Sequence, residues 1–379
     1  MRFEAVELSD AECDLQREVH AFLDNELPWG SYEPGLGMAA EHDPAFSRKL
    51  ARRGWLGMSI PSQYGGHGRT AVDRFLITEV LLARGAPIGA HWVADRQSAP
   101  ALLRYGTEAQ RQRFLPAICR GESYFSIGMS EPDSGSDLAS IRTRAERVDG
   151  GWMLNGTKTW TSMAHRNHWF FVLCRTSREE DRRAGLSQLI VDLSAPGVEV
   201  RPILLMNGQH HFNEVSLTDV FVPDDRVFGQ IGQGWRQVTG ELAHERAGPD
   251  RYLSTYLLLE QLLRERIPGV DSDAARDALG RLTARLWALR QMSIAVARSL
   301  DDGNEQKVEA AAVKDLGTVF EREVIDAVRQ VVEIEPDTSS TSLFERLLGE
   351  SILTAPTFTI RGGTTEILRS VIARALVST

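Results

Sequence analysis

Residues 127–137 run from Ile127, Gly128 and Met129 into Ser130, Glu131, Pro132, Asp133, Ser134, Gly135, Ser136 and Asp137. A short apolar stretch thus meets a run of hydroxyl, acidic and glycine residues. Glycine lets a backbone pass close to a ligand, and hydroxyl and N–H groups can hydrogen-bond flat heteroatom edges or phosphates. Next, Gly150–Ser162 reads as a tight turn, a strand at Trp152–Leu154, a second turn at Asn155-Gly156, and a strand ending in Trp160, Thr161 and Ser162. Trp160 offers a large π-face beside two hydroxyls, which suits a planar aromatic cofactor. A Ser/Gly/Asp loop before a hairpin is equally an ordinary connection, and the text is neither G-x-G-x-x-G nor a P-loop.

The elements around this stretch fall into blocks. Apolar residues Leu15, Val19, Phe22 and Leu23 follow helical spacing, with Asp10 as the expected N-cap. Helices are expected at Pro44–Arg53, Ala71–Arg84, Gly89–Tyr105 and Glu108–Ile118, the last capped by Thr107 and ended by Gly121. Strands then follow at Ser123–Met129, Gly151–Leu154, Trp169–Arg175, Gln188–Leu193, Val198–Ile203 and Glu214–Val222, with Arg178–Arg183 as a solvated hairpin loop. Their short spacing suggests a β-barrel-like domain. Helices return at Gly240–Glu265, Arg276–Leu300, Lys307–Val332, Ser342–Leu353 and Thr365–Leu376. Leu279, Leu282, Leu286 and Leu289 form a bundle seam. Helices, strands, then helices make an α+β protein, divided at 1–122, 123–232 and 233–379.

Composition narrows the class. The 379 residues are 42% hydrophobic and 25% charged, enough for a large core, and the net charge is −9. There is no lysine/arginine block, so a nucleic-acid partner is not expected. No apolar run approaches the ~20 residues that span a membrane. The acidic N-terminus lacks the pattern of a signal peptide. Cys13, Cys119 and Cys174 show no metal-ligand or C-x-x-C spacing. They read as small apolar fillers in a reduced, cytoplasmic protein.

The texts SEPDSGSD and NGTKTWTS, in that order, together with RGGTTEILRSVIA at Arg361–Ala373, resemble the signatures of the acyl-CoA dehydrogenase family. The resemblance spans roughly the whole chain. It implies an acyl-CoA dehydrogenase-like fold with an all-α N-terminal domain, a central β-barrel-like domain and a C-terminal four-helix bundle. It also implies FAD as cofactor, an acyl-CoA substrate undergoing α,β-dehydrogenation, and an electron-transfer flavoprotein or similar acceptor.

Carried over by position, the resemblance makes Ile127, Gly128, Met129, Ser130 and Ser136 the first flavin loop. Trp160, Thr161 and Ser162 become the second, with Ser162 near flavin N5. Thr364, Thr365 and Glu366 are the C-terminal flavin contacts. Ser136, Arg246 and Gly363 border the acyl-CoA. In one branch of the family the catalytic base is a glutamate at the position of Gly362, which cannot take a proton. In another the base lies in an L-x-x-E-R text on the first long C-terminal helix, and LAHERAG supplies Glu245 there. Read without the resemblance, Glu245 is an exposed helical glutamate paired with a nearby arginine. Gly362 retains a backbone N–H, which the resemblance places against the thioester carbonyl as part of an oxyanion site.

Two familiar elements are missing. Leu263–Ala275 stands where many relatives have R-x-x-F-G, and Val331–Ser340 where they have Q-x-x-G-G, both of which hold the flavin diphosphate. The resemblance, and C-terminal helices with more apolar faces than one bundle of this size needs, imply a homodimer, homotetramer or heterotetramer with a related chain. Two alternatives stay open: a flavin-dependent monooxygenase of the same fold, and a non-catalytic subunit of a mixed assembly. The resemblance further suggests fatty acid or sterol catabolism.

Overall fold

The computed structural model describes residues 1–377 apart from Met38, Ala39 and Glu305, and the side chains of residues 241–245 also lie outside it. In chain order the helices are α1 (Asp10–Glu26), α2 (Pro44–Arg52), α3 (Ala71–Ala83), α4 (Ala99–Tyr105), α5 (Glu108–Cys119), α6 (Gly234–Glu245), α7 (Tyr256–Arg264), α8 (Asp273–Asp301), α9 (Lys307–Val331), α10 (Leu343–Phe358) and α11 (Thr365–Val377). The strands are β1 (Phe125–Gly128), β2 (Arg144–Val148), β3 (Gly151–Ser162), β4 (Trp169–Arg175), β5 (Leu186–Asp192), β6 (Val198–Leu204), β7 (His210–Pro223) and β8 (Val227–Phe228). Two compact units interleave in sequence. One comprises Met1–Glu41, Thr70–Ile88 and Ala243–Thr379; the other comprises His42–Arg69 and Gly89–Leu242.

The second unit holds the strands in one mixed sheet of order β6-β7-β3-β2-β4-β5-β8, with β1 parallel beside β4. Strand β4 is buried on both faces, and its residues alternate between two cores with the two-residue period of a strand. Phe170, Val172 and Cys174 face Leu154, Val191, Val215 and Val222. Phe171 faces Phe114, Phe125 and Phe228. Strands β2 and β8 are short, and the sequence pattern misses both.

Strand β3 overturns one expectation. Asn155-Gly156 makes no turn; a single strand runs from Gly151 to Ser162 and pairs with β7, with an irregular register between Leu154 and Gly156. The Asn155 side chain is engaged across the sheet: its Nδ2 donates to Asp219 Oδ1 at 3.0 Å, and its Oδ1 accepts from Asp219 N at 2.9 Å. Gly156 has φ +150°, and a Cβ there would come within 2.4 Å of Thr143 Oγ1. The Asn-Gly pair is therefore a bulge, a close backbone approach inside a continuous strand.

In the first unit α1 packs on α3, α3 on α8, and α9 against α7, α8, α10 and α11. Val72, Phe75 and Leu76 of α3 close on Ile294 and Ala297 of α8. On the expected seam of α8, Leu282 and Leu289 are buried, while Leu279 and Leu286 are half-buried.

Helix ends follow local chemistry. Ser9, rather than Asp10, caps α1: its hydroxyl accepts from Glu12 N while the Glu12 carboxylate accepts from Ser9 N, a capping box. Thr107 caps α5 in the same way with Gln110. The expected long helix at Gly240–Glu265 is broken. α6 stops at Glu245, Gly248 and Pro249 open a short 3-10 turn at Pro249–Arg251, and α7 begins at Tyr256. Proline lacks the N–H a continuing helix would use.

Cys119 and Cys174 are buried, and burial pushes both thiols up to about 12. Cys13 is exposed on α1 and fills no core, contrary to expectation. Among the described residues, no helix is long and apolar enough to cross a membrane.

Candidate functional site

In the sheet unit, the two loops singled out from the sequence lie side by side. Thr159 N donates to Ser130 O at 2.9 Å, and Ser126 Oγ donates to Ser162 O at 2.8 Å. What joins them most firmly is a pair the sequence reading overlooked. Lys158 is wholly buried, and its ammonium donates to Met129 O at 3.0 Å and to Glu131 Oε1 at 2.9 Å. Glu131 also accepts from Arg142 N at 2.6 Å and Thr143 N at 2.9 Å. Burial pushes the Glu131 carboxyl up, but Lys158 and the two backbone donors outweigh it and hold it below the usual range. The available signal was a lysine within β3, in Thr157-Lys158-Thr159, facing an acidic residue in the preceding loop. Gly128 is glycine because a Cβ would lie 2.2 Å from Phe170 Cζ.

At the end of β3, Trp160 and Met163 hold positive φ values of 57° and 55°, uncommon for residues with a Cβ. Trp160 is 56% exposed and meets Phe212 edge-on at 5.8 Å. Thr161 is fully buried, and its Oγ1 has no hydrogen-bond partner among the described residues. A strained backbone, a presented indole and an orphaned hydroxyl together mark a place built for something planar and polar. These features fit a flavin. Ile127, Met129 and Ser130 are half-buried beside this place, whereas Ser136 stands exposed in the turn beyond Glu131.

Asn213 supports the same strand end. Its Nδ2 donates to Thr161 O at 2.9 Å, and its Oδ1 accepts from His165 Nδ1 at 3.1 Å and His210 Nε2 at 2.7 Å. The two imidazoles stack at 3.7 Å. Burial, then the neighbouring His210, depresses His165, and burial lowers the adjacent His211 to about 4.

The remaining residues gather in the helical unit. Glu245 ends α6, and its side chain lies outside the described residues. Arg246 follows directly, and its Nε donates to Gly362 O at 3.3 Å. Gly362 and Gly363 have φ values of +65° and +100°, a conformation that suits only glycine twice in succession. Thr364 starts α11: its hydroxyl accepts from Ile367 N at 3.4 Å. Thr365 N donates to Thr359 O at 3.2 Å. Glu366 is exposed, and hydrogen bonds at the helix start hold its carboxyl below its usual range.

Beneath this turn lies a buried charge network, also unforeseen. Arg361 Nη2 donates to both oxygens of the fully buried Glu321, at 2.7 and 2.8 Å, and to Ser254 Oγ at 2.8 Å. Lys314, also fully buried, donates to Phe358 O at 2.9 Å and Thr318 Oγ1 at 2.8 Å. Burial, with Arg251 and Arg361 nearby, lowers its ammonium to about 7. Arg251 Nε meets Asp250 Oδ2 at 2.9 Å, and both residues are buried.

Comparison with known proteins places these features in a family. Models of the N-terminal, middle and C-terminal domains of acyl-CoA dehydrogenase match residues 9–122, 126–220 and 232–377. Acyl-CoA dehydrogenase FadE29 of Mycobacterium tuberculosis is 32% identical over 387 residues, 97% of each chain. Acyl-CoA dehydrogenase FadE34 of the same organism is 34% identical over 86% of this chain, which spans only 45% of that protein. Among solved structures, the Tcur3481-Tcur3483 steroid ACAD superposes with TM-score 0.87 at 27% identity, covering 98% of each chain. The ChsE4-ChsE5 complex from Mycobacterium tuberculosis gives 0.82 at 27% identity, covering 100% of this chain and 99% of that one. The chain belongs to the acyl-CoA dehydrogenase family, flavoprotein oxidoreductases that act on acyl-CoA thioesters.

Proposed function

We propose that the chain binds FAD and dehydrogenates an acyl-CoA thioester at its α,β bond, with Glu245 as the base that takes the α-proton. The observation that carries this reading is the bond from Arg246 Nε to Gly362 O at 3.3 Å. It ties the end of the helix bearing Glu245 to the glycine turn whose backbone N–H can donate to a thioester oxygen.

A bound flavin would supply the two-electron acceptor that no side chain can. The protein's own part is to position the groups around it. The backbone N–H at Gly362 stabilises the enolate oxygen as charge develops there. Trp160 would present its indole to a bound flavin ring, with the Thr161 and Ser162 hydroxyls beside it. Ile127, Gly128, Met129 and Ser130 would form the neighbouring wall. Thr364, Thr365 and Glu366 offer the start of α11, where N–H groups and the helix dipole favour an electron-rich ligand.

Neither diphosphate-binding element is present, so a second, related chain is the natural source of the missing contacts. Both similar solved structures carry paired names, Tcur3481-Tcur3483 and the ChsE4-ChsE5 complex, and the first is a steroid ACAD. We extend this to the chain as a mixed-subunit assembly acting on a ring-bearing, sterol-derived acyl-CoA.

The test is anaerobic titration of the holoenzyme with short, long and ring-bearing acyl-CoAs. The flavin absorbance should bleach with the ring-bearing class, and Glu245→Gln should abolish bleaching without loss of flavin. A variant that bleaches at the wild-type rate removes Glu245 as the base. A holoenzyme that stays yellow with every thioester removes the dehydrogenase reading.

A further inference from the structure

Gly362 has no side chain, yet the space a side chain would take is filled. A Cβ built on Gly362 would lie 2.9 Å from Arg251 Nη1, 3.1 Å from its Cζ and 3.3 Å from its Nη2. The Nη1–Cζ–Nη2 end of the guanidinium therefore abuts this residue. Arg251 is fully buried and anchored by Asp250 at 2.9 Å. Its own backbone is clamped too, because a Cβ at Gly317 of α9 would come within 2.4 Å of Arg251 O.

Two glycines at positive φ leave a turn with more conformational freedom than any other dipeptide, and a peptide plane within it can rotate readily. The surroundings of this turn oppose that freedom on each side. Arg246 holds the Gly362 carbonyl. Arg361 Nη2 donates to both oxygens of Glu321. Lys314 holds the carbonyl of Phe358 just upstream. Arg251 closes the remaining side, in the space where a Gly362 Cβ would stand.

We propose that Arg251 is a positioning residue for the reaction: its guanidinium occupies the side-chain space of Gly362, requires glycine there, and fixes the peptide that the turn presents to the thioester. This rests on the dehydrogenase reading above, in which that peptide donates its N–H to the substrate carbonyl. Arg251 itself touches neither substrate nor cofactor in this scheme. With the guanidinium withdrawn, the turn relaxes into the space it leaves and the donor loses its aim. A misplacement of about 1 Å at such a donor costs on the order of 100-fold in rate.

Arg251→Lys keeps a cation beside Asp250 but removes the two Nη groups that fill the space beside Gly362. In the flavin-loaded assembly, its kcat with the acyl-CoA that bleaches the wild type should fall about 100-fold, while KM changes less than about threefold, because ground-state binding is untouched. Gly362→Ala should also be impaired, and the double variant Arg251→Lys with Gly362→Ala should be no slower than Gly362→Ala alone, since the methyl then has room. Should Arg251→Lys not fold, Arg251→Met combined with Asp250→Asn, which removes both buried charges, is read by the same criteria. A folded Arg251 variant with wild-type kcat, or two substitutions whose effects multiply independently, overturns the positioning role alone. A wild-type assembly inert to every thioester overturns the dehydrogenase reading and this role with it, so the two failures are told apart by the wild-type control.

Discussion

Lys158 and Glu131 illustrate what a single buried pair does for a loop that must be held still. The ammonium has no access to water, and Glu131 gathers it together with two backbone N–H groups. Removing one partner leaves the other charged and buried, which typically costs 3–5 kcal/mol. Lys158→Met is expected to lower the unfolding free energy by about that much in urea titration, and adding Glu131→Gln should restore a large part of it. Trp160 makes the opposite case. With over half its surface exposed, Trp160→Ala should shift stability by less than about 0.5 kcal/mol while the purified protein loses flavin. Full flavin content in that variant would mean the indole is not a cofactor contact. Trp160 was legible in the sequence because an aromatic beside two hydroxyls stands out. Lys158 was not, because a lysine in a strand reads as a solvent-facing residue until the sheet that buries it is known.

At the scale of elements, the periodic segments were readable and the interruptions were not. The helices α3, α5, α8 and α9 carry strong apolar spacing, and their bounds fall within a few residues of expectation. Asn155-Gly156 has the composition of a turn, but the backbone of β7 pairs on both sides of it, and tertiary pairing overrides local preference. Gly248 and Pro249 were read through as helix, although together they end one element and start another, and this break is what sets Arg246 and Arg251 on either side of the same glycine turn. Helix α9 yields a prediction at this scale. Alanine is the better helix former, by about 1 kcal/mol over glycine, so Gly317→Ala would stabilise an isolated α9. In the protein the new methyl would press within 2.4 Å of Arg251 O, and overpacking of this kind costs roughly 1–3 kcal/mol. The net change in thermal denaturation should be destabilising; a raised melting temperature would show that the contact relaxes freely.

For the whole molecule, pH is the lever that buried histidines provide. His91 is buried against Ser47 Oγ at 2.8 Å, and burial lowers it to about 3; His211 falls to about 4. Each binds a proton more weakly folded than unfolded, where the ordinary value is near 6.5. Between those limits the unfolded chain therefore holds more protons. The stability these groups provide is complete above pH 6.5 and is lost as the pH falls towards 4 and then 3. Each contributes a slope of up to about 1.4 kcal/mol per pH unit. Urea denaturation across pH 7 to 4.5 should show the decline, and His91→Gln should flatten it; an unchanged slope would remove His91 as a source.

The interleaving of the two units carries a consequence for how the protein is made. The first 41 residues and residues 70–88 belong with a partner segment that begins only at Ala243. At ~5–20 residues per second, roughly 155 to 200 residues of synthesis separate them from it, a wait of about 8–40 s. During that interval α1 and α3 can pair with each other, but Val72, Phe75 and Leu76 have no Ile294 or Ala297 to cover them. The sheet unit, ending at Leu242, can be completed first on the ribosome. A nascent chain stalled far enough beyond Leu242 for the sheet unit to have left the ribosome, but before Ile294 has emerged, should accordingly display a folded sheet together with an unsatisfied greasy helical hairpin.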